Sequence, residues 1–288
     1  MLPAVIAIAM GAAAGLVRWP VQPMLAVRVL TAIALVVAVT ALSVLTVIVA
    51  GFASRSALME SLVDWCPAVP LHQVGVLQGG IAILLLGVAS ARSCRVLRTR
   101  RRAGAGTEGR SLAVIDSIEP IAFAAPGKPG CVVVSRGLLD ALDVRERQVV
   151  LAHERAHLHH NHHRYLLAAE LTVAIVPVLR PLARQIRFAT ERSADESAAD
   201  AMGGDRRLVA RAIARAAVAR SVHAGLVGSF GGGAVPLRVS ALIGPRRAGA
   251  VVVSGIGVVI VAAAVTIVAG SIQLQQLMAL IGHVCHLD

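Results

Sequence analysis

The strongest chemical signal in the chain is a pair of histidines four residues apart with a glutamate directly after the first: His153, Glu154 and His157. Residues spaced by four lie on one face of a helix, so both imidazoles can reach one ion. Asp143 and Glu146 have the spacing of a capping box and predict that a helix begins ahead of the motif. This HExxH pattern predicts a zinc site in which Glu154 takes a proton from water.

A catalytic zinc ion needs a third protein ligand, and the sequence offers two candidates. Glu191 begins the segment Glu-Arg-Ser-Ala-Asp on a helix that we expect to end at Gly203-Gly204. Asp195 follows one turn later on the same face, where it could accept a hydrogen bond from a ligand imidazole. His163 is the rival, because it falls where HExxHxxGxxH places its third histidine. We favour Glu191, since that longer motif needs glycine where this chain has His160.

Four further histidines follow the motif closely: His159, His160, His162 and His163. They could bind a metal ion of their own. We favour the simpler interpretation, in which they form the polar end of the helix and are not themselves ligands.

The composition indicates a membrane protein. Of the 288 residues, 57% are hydrophobic and 15% are charged, whereas soluble domains average about 45–50% and about 25%. Apolar runs predict four transmembrane helices, at Leu2–Val17, Val29–Phe52, Val74–Ser90 and Ala248–Gly270. The net charge of +12 fits contact with anionic lipid. Aromatic residues, at 2% of the chain, are too few for base stacking, so we expect no direct nucleic-acid binding.

The placement of arginine orients these predicted helices. Arg18, the basic block within 92–110 and Arg246-Arg247 should be cytoplasmic, which leaves loop 53–73 and both termini outside. The predicted organisation has five parts: transmembrane helices in 1–90, a basic linker at 91–110, a metallopeptidase domain at 111–247, a fourth transmembrane helix at 248–270 and a short extracytoplasmic tail at 271–288. The predicted fold class is a mainly α integral membrane protein with four transmembrane helices and a cytoplasmic α+β zincin-like metallopeptidase domain.

Two short β-branched segments, Ser111–Ile115 and Cys131–Ser135, predict strands within that domain. The second is expected to pair with an extended substrate. Further along, Asp205 is placed to cap a basic helix, whose arginines we interpret as a solvated face: Arg206, Arg207, Arg211, Arg215 and Arg220.

The apolar segment Leu166–Leu182 raises a geometric problem. A single crossing of the bilayer would separate Glu191 from His157, although ligands of one zinc ion lie within a few ångströms of it. Pro177 and Pro181 therefore predict a helical hairpin buried against protein or dipping into the interface. Glu170 within it is expected to face a cavity or the site, because facing lipid would be costly.

The four cysteines contain no CxxC pair, so neither cysteine-based zinc binding nor thioredoxin chemistry is expected. Cys66 and Cys285 both fall on the predicted outer face, which is oxidising in many bacteria, and we predict a disulfide between them. Cys94 and Cys131 fall on the reducing side and should stay as thiols.

The HExxH helix, the later ExxAD segment and the four-helix layout resemble the BlaR/MecR family of membrane metallopeptidases, from about Leu112 to Asp200. The segment Ala122–Leu139 resembles that family's lead-in to the metal helix. A more distant similarity is to the HtpX-like membrane peptidases. The resemblance implies Zn²⁺ as the cofactor, Glu154 as the general base, Asp195 as a support behind a ligand, and three zinc ligands: His153, His157 and Glu191.

The resemblance also implies a multi-pass protein of the bacterial plasma membrane with its active site in the cytoplasm. It would relay a signal by cleaving a regulatory protein such as a transcriptional repressor. The family commonly has an acidic residue where this chain has His162. Its antibiotic sensors carry a large extracellular domain after the last transmembrane helix, where residues 271–288 stand here, so direct β-lactam sensing is not expected. The alternative interpretation is a non-catalytic metal-binding signal transducer, although a structural site would need no base at Glu154.

Overall fold

The structure is a computed structural model that describes residues 2–17, 19, 21–53, 74–103, 110–223 and 234–245. This part of the chain is mostly helical, with one small sheet. Three helices come first: α1 (Leu2–Leu16), α2 (Pro23–Ala53) and α3 (Val76–Ala103). Three strands follow: β1 (Leu112–Ile115), β2 (Ala122–Ala125) and β3 (Cys131–Ser135). Six more helices complete it: α4 (Arg136–Ala141), α5 (Val144–His159), α6 (His162–Ile175), α7 (Arg180–Ala201), α8 (Arg206–His223) and α9 (Ala234–Ile243).

Two of the described helices, α2 and α3, are long and apolar enough to cross a membrane. The apolar side chains of α3 are largely uncovered, with Leu77 76% exposed and Leu84 65% exposed. Extended apolar surface of this kind is costly in water and stable in lipid. α2 is covered on one side by α1, α6 and α7, and this packing buries Val27 and Leu30.

The structure does not describe the other two predicted transmembrane segments, Leu2–Val17 and 248–270, as helices that could cross a membrane. α1 has 15 residues, about 22 Å at 1.5 Å per residue, which is shorter than a bilayer core of about 30 Å. The run 248–270 lies outside the described residues, as do Arg18, Arg246-Arg247, Cys66 and Cys285. The prediction of a basic linker over 91–110 is wrong for residues 91–103, which continue α3. Arginine, leucine and alanine are good helix formers, so this composition extends the helix.

A close contact at a glycine holds α1 against the start of α7. A methyl group at Gly15 would lie 2.3 Å from the backbone nitrogen of Leu182, at the start of α7. Only glycine allows the backbones to come this close. At Gly11 a methyl group would meet instead the side-chain end of Leu179, at 3.0 Å. The start of α7, which carries Glu191, is thereby held between α1 and α2.

The segment Leu166–Leu182 forms the predicted helical hairpin. α6 ends at Ile175, a 3₁₀ turn over Pro177–Leu179 reverses the chain, and α7 begins at Arg180. Both prolines lie in the first turn of a helical segment, where the missing N–H has no partner to lose. At the tip of the hairpin Val176 and Leu179 are buried in the cluster that includes α1 and α2, whereas Val178 is exposed. The reversal returns α7 to the side of the molecule that carries α5.

The sheet has the strand order β1-β3-β2, with β1 parallel and β2 antiparallel to β3. Every residue of β3 is buried, because this strand is central. Our prediction that a substrate pairs with Cys131–Ser135 is therefore wrong, since β1 and β2 occupy both edges of β3. The sequence did not predict β2, whose residues Ala-Phe-Ala-Ala have mostly low strand propensity. Its outer edge pairs with no other strand among the described residues.

The helix that carries the HExxH motif begins at the predicted capping box. Asp143 Oδ1 accepts a hydrogen bond from the backbone of Glu146 at 2.9 Å, and Glu146 Oε2 accepts from the backbone of Asp143 at 3.1 Å. Glu146 is fully buried and pairs with Arg215 at 2.8 Å and Arg211 at 3.2 Å. A cap of this kind contributes about 1 kcal/mol, and the two arginines satisfy a carboxylate that would otherwise be costly to bury.

The basic helix α8 begins as predicted, and four of its five named arginines are exposed as predicted: Arg207, Arg211, Arg215 and Arg220. Asp205 caps it by accepting a hydrogen bond from the backbone of Leu208 at 2.9 Å. Arg206 is mostly buried and donates to Glu196 at 2.8 Å. Together with the pairs that Arg211 and Arg215 make to Glu146, this ion pair joins α8 to α5 and α7. The prediction of a solvated face is wrong only for Arg206, and it did not include the ion pairs that the exposed Arg211 and Arg215 make with Glu146.

Candidate metal centre

Two helices bring three metal-binding side chains together. His153 and His157 lie one turn apart on α5, with their Nε2 atoms 3.1 Å from each other. α7 places Glu191 beside them, with Oε2 3.7 Å from His153 Nε2 and Oε1 3.9 Å from His157 Nε2. Among the described residues this is the one group that could share a metal ion. His163, the rival ligand, lines the same cleft but is not part of the group.

The spacing and charge of these atoms fit a zinc ion. Bonds of about 2.0–2.1 Å at tetrahedral angles place ligand atoms about 3.3 Å apart, close to the observed spacings. Burial and the neighbouring His153 lower the pKa of His157 to about 4, so its imidazole is neutral and free to donate a lone pair. Burial raises the pKa of Glu191, but His153 and Arg238 outweigh it and lower that pKa to about 2. Two imidazoles and one carboxylate are a donor set that zinc takes in catalytic sites.

Asp195 supports His153 from behind. Its Oδ1 lies 3.0 Å from His153 Nδ1, and the carboxylate is almost fully buried. A proton held on Nδ1 by this carboxylate leaves the Nε2 lone pair directed at the centre. Burial lowers the pKa of His153, but Asp195 and Glu191 outweigh it and raise that pKa to about 9. The structure thus places Asp195 where the ExxAD spacing predicts it.

His162 supports the second histidine in the same way. Its Nδ1 lies 3.0 Å from Nδ1 of His157, and the whole residue is buried. Burial and the nearby His157 lower the pKa of His162 to about 3, so it is neutral. A neutral His162 can accept the Nδ1 proton of His157 and leave Nε2 of His157 for a metal ion. An imidazole here supplies the acceptor without adding negative charge.

Arg238, on α9, joins two acidic residues of α7, Glu191 and Asp195. Its guanidinium donates to both oxygens of Asp195, at 2.8 Å and 2.6 Å, and to Glu191 Oε2 at 2.8 Å. Arg238 is 11% exposed, so these are short, partly desolvated and charge-assisted contacts. The contact to Glu191 Oε2 leaves Oε1 available to a metal ion.

Glu154 faces a cleft of about 370 Å³ that the metal-binding residues also line. Burial raises its pKa above the usual value, against the opposing charge of His153. A carboxylate with a raised pKa accepts a proton more readily near neutral pH, as a general base requires. Arg220 of α8 and Arg100 of α3 also line the cleft.

The edge strand β2 forms one wall of this cleft. Ala122, Phe123 and Ala124 line it, opposite the helix that carries the two histidines. The edge of β2 that pairs with no other described strand can present backbone donors and acceptors to a ligand in the cleft. A peptide in extended conformation is the ligand that such an edge binds.

A comparison with protein families bears on the metal centre. Residues 89–221 match the model of peptidase family M48. Peptidases of family M48 are metalloproteases that typically depend on zinc, so the match indicates a metallopeptidase. The M48 segment contains the HExxH helix and the ExxAD helix but ends before Arg238. Searches of curated proteins and of solved structures found no match.

The M48 match bears on the resemblances drawn from the sequence. It supports a metallopeptidase family, while the BlaR/MecR and HtpX-like subtypes stay predictions. Within the M48 segment, sequence spacing placed His153, Glu154, His157, Glu191 and Asp195, and the structure brings all five to one cleft or directly behind it.

Sequence analysis missed three contributors: Arg238, Arg220 and the supporting contact of His162. A single arginine within the apolar stretch Val-Pro-Leu-Arg-Val was the available signal for Arg238, because a charge in such a stretch needs a partner.

Proposed function

We propose that the protein is a membrane-bound zinc metalloendopeptidase. One observation carries the proposal: two histidines of α5, a glutamate of α7 and a second glutamate, Glu154, meet in one cleft beside a strand edge that no other described strand pairs with. A purely structural zinc site is closed by four protein ligands. Three ligands, the number found among the described residues, would leave a position open, and Glu154 lines the same cleft.

In this proposal His153, His157 and Glu191 hold the ion, which when bound supplies Lewis-acid activation of water and of the substrate carbonyl. Glu154 accepts a proton from the attacking water as the new C–O bond forms. It then delivers that proton to the amide nitrogen as the C–N bond breaks. Its raised pKa suits both steps, because the carboxyl group must gain and lose a proton near neutral pH.

The edge of β2 supports a peptide as the substrate. An extended segment paired with β2 would place its backbone across the cleft toward Glu154 and the ligand atoms. Main-chain pairing is insensitive to side-chain identity, so selectivity would come from the cleft walls. Phe123, Leu166 and Val150 give these walls an apolar character.

The arginines of α3 support a cytoplasmic location for the cleft. Arg92, Arg95 and Arg98 follow directly after the apolar part of α3, and Arg100, two residues further, lines the metal cleft. The cleft is therefore on the arginine side of this helix. By the positive-inside rule that side is cytoplasmic, and we extend this to the four-helix topology and plasma-membrane location expected from the sequence.

A regulatory protein in the cytoplasm, such as a transcriptional repressor, is the substrate that this location and the BlaR/MecR resemblance favour. The competing proposal, a metal-binding transducer without catalysis, leaves the position of Glu154 without a purpose. The two differ in one experiment: a comparison of newly formed peptide termini in cells expressing wild type or Glu154→Ala. The peptidase account expects cytoplasmic cleavage products that require Glu154. Identical termini in both strains would contradict it.

A further inference from the structure

A second cavity, of about 520 Å³, lies between α3, α6 and α7, on the other side of Leu166 from the metal cleft. Its walls carry an unusual concentration of positive charge. Five arginines and a single glutamate, Glu170, line it: Arg92, Arg95, Arg180, Arg184 and Arg187. Arg92 and Arg95 come from α3 and the other three from the start of α7.

These charges are not neutralised within the described part of the chain. Glu170 pairs with Arg187 at 3.5 Å, but it is held more closely by Arg100, which belongs to the metal cleft. No described carboxylate lies within ion-pair distance of the other four arginines of the cavity. α7 also begins here without a side-chain cap or an acidic residue in its first turn, so the helix dipole adds to the positive potential. The cavity is therefore suited to an anion.

Between the arginines the walls are apolar. Val96, Val173 and Ala183 line the cavity beside the guanidinium groups. Most exposed large apolar side chains of α3 lie between Val76 and Val88, and Leu97 is the one beyond Arg92. Val88 is four residues before Arg92, or about 6 Å along the helix axis. If α3 crosses the membrane, the cavity lies where hydrocarbon gives way to headgroups. A ligand with a charged head and an apolar tail matches both the mixed lining of the cavity and its position at the edge of the hydrocarbon layer.

We propose that this cavity binds the headgroup of an anionic phospholipid. The phosphate pairs with guanidinium groups of α3 and α7, which present paired N–H donors to phosphate oxygens. The acyl chains run along the exposed apolar side of α3, past Leu84 and Leu85. Basic pockets between membrane helices recognise anionic headgroups through this chemistry. Since Leu166 lines both cavities, the bound lipid fixes the metal cleft close to the membrane surface.

The test uses the full chain purified in neutral detergent, with phosphatidylglycerol or phosphatidylcholine added and the retained lipid counted by native mass spectrometry. The variant Arg92→Gln/Arg95→Gln removes two charges from the cavity. Its matched control, Arg98→Gln/Arg101→Gln, removes two exposed charges from the same helix outside the cavity. Each cavity arginine contributes about fivefold, so the first variant should bind phosphatidylglycerol about thirtyfold more weakly. The control should bind like wild type.

Three results would overturn the proposal. Equal weakening in both double variants would mean that only net charge attracts the lipid. Equal retention of phosphatidylcholine would mean that the headgroup charge is not recognised. Displacement of phosphatidylglycerol by an equal concentration of inorganic phosphate would make free phosphate the ligand. Should the first variant fail to fold, Arg180→Gln/Arg184→Gln, from the opposite wall, must show the same loss.

Discussion

Arg238 donates two hydrogen bonds to Asp195, at 2.8 Å and 2.6 Å, and Asp195 in turn contacts the imidazole of His153 at 3.0 Å. The arginine is on α9 and the aspartate on α7, so this pair connects an element outside the M48 segment to the metal centre. Because Asp195 is 1% exposed, its charge depends on this partner.

Arg238→Ala should therefore destabilise the protein strongly. It leaves a buried carboxylate unpaired, which costs about 3–5 kcal/mol. Arg145→Ala is the matched control, because Arg145 makes a 3.7 Å surface pair with Asp205 and should change stability by less than about 1 kcal/mol. Thermal unfolding in detergent measures both. Similar melting temperatures for the two variants would show that the pair does not stabilise α7.

His162→Ala should weaken zinc binding, whereas His163→Ala should not. The first change removes the acceptor at 3.0 Å from His157 Nδ1, and loss of such a partner lowers metal affinity about 10–100-fold. The second removes a side chain that lines the cleft outside the ligand group. Competition with a chromophoric chelator gives both affinities. The reverse order would make His163 the ligand and Glu191 dispensable.

Zinc affinity should rise with pH up to about 9. The pKa of His153 is raised to about 9 in the metal-free protein, so below that pH zinc must displace its proton. One displaced proton strengthens binding by about tenfold per pH unit until the histidine is deprotonated. Calorimetry in buffers of different ionisation enthalpy counts the protons released.

Asp195→Asn provides the control for that pH dependence. It removes a carboxylate that raises the pKa of His153, while burial continues to lower it. In this variant the zinc affinity should therefore stop rising at a lower pH than in wild type. A pH-independent affinity between 6 and 9 in wild type would show that His153 is already deprotonated there.

Gly15→Ala should loosen the contact between α1 and α7, and Gly11→Ala should be better tolerated. The added methyl at Gly15 meets the backbone of Leu182 at 2.3 Å, whereas at Gly11 it meets a side chain that can rotate. Forcing such an overlap costs about 1–3 kcal/mol. The melting temperatures of the two variants compare the costs. Equal temperatures would mean that α1 is not held at this contact.

Local spacing accounts for what the sequence predicted well. His153 and His157 are one helical turn apart, so their convergence needs nothing beyond a helix, and Asp143 with Glu146 predicts where that helix begins. Pro177 and Pro181 predicted the hairpin for an equally local reason. Glu191 was predicted from the spacing of the ExxAD segment and from the family resemblance, because a sequence does not show which distant residues are in contact.

What the sequence did not predict depends on contacts between distant segments. Arg238 reaches Asp195 across 43 positions, and Arg215 reaches Glu146 across 69. Helical periodicity does not indicate such pairs, so the sequence did not predict that exposed arginines of α8 also bind Glu146. The strand β2 was missed because its pairing with β3, rather than the propensity of its alanines, stabilises it.

Zinc content and peptide-bond cleavage, measured on the same preparations of wild type and Glu154→Gln, test the central claim most directly. The substitution keeps the size of the side chain and removes its ability to accept a proton. We predict about one zinc ion per chain in both proteins, with cleavage about 10²–10⁴-fold slower in the variant. Equal cleavage by the two proteins, or a fully zinc-loaded wild type that cleaves no peptide, would contradict the account.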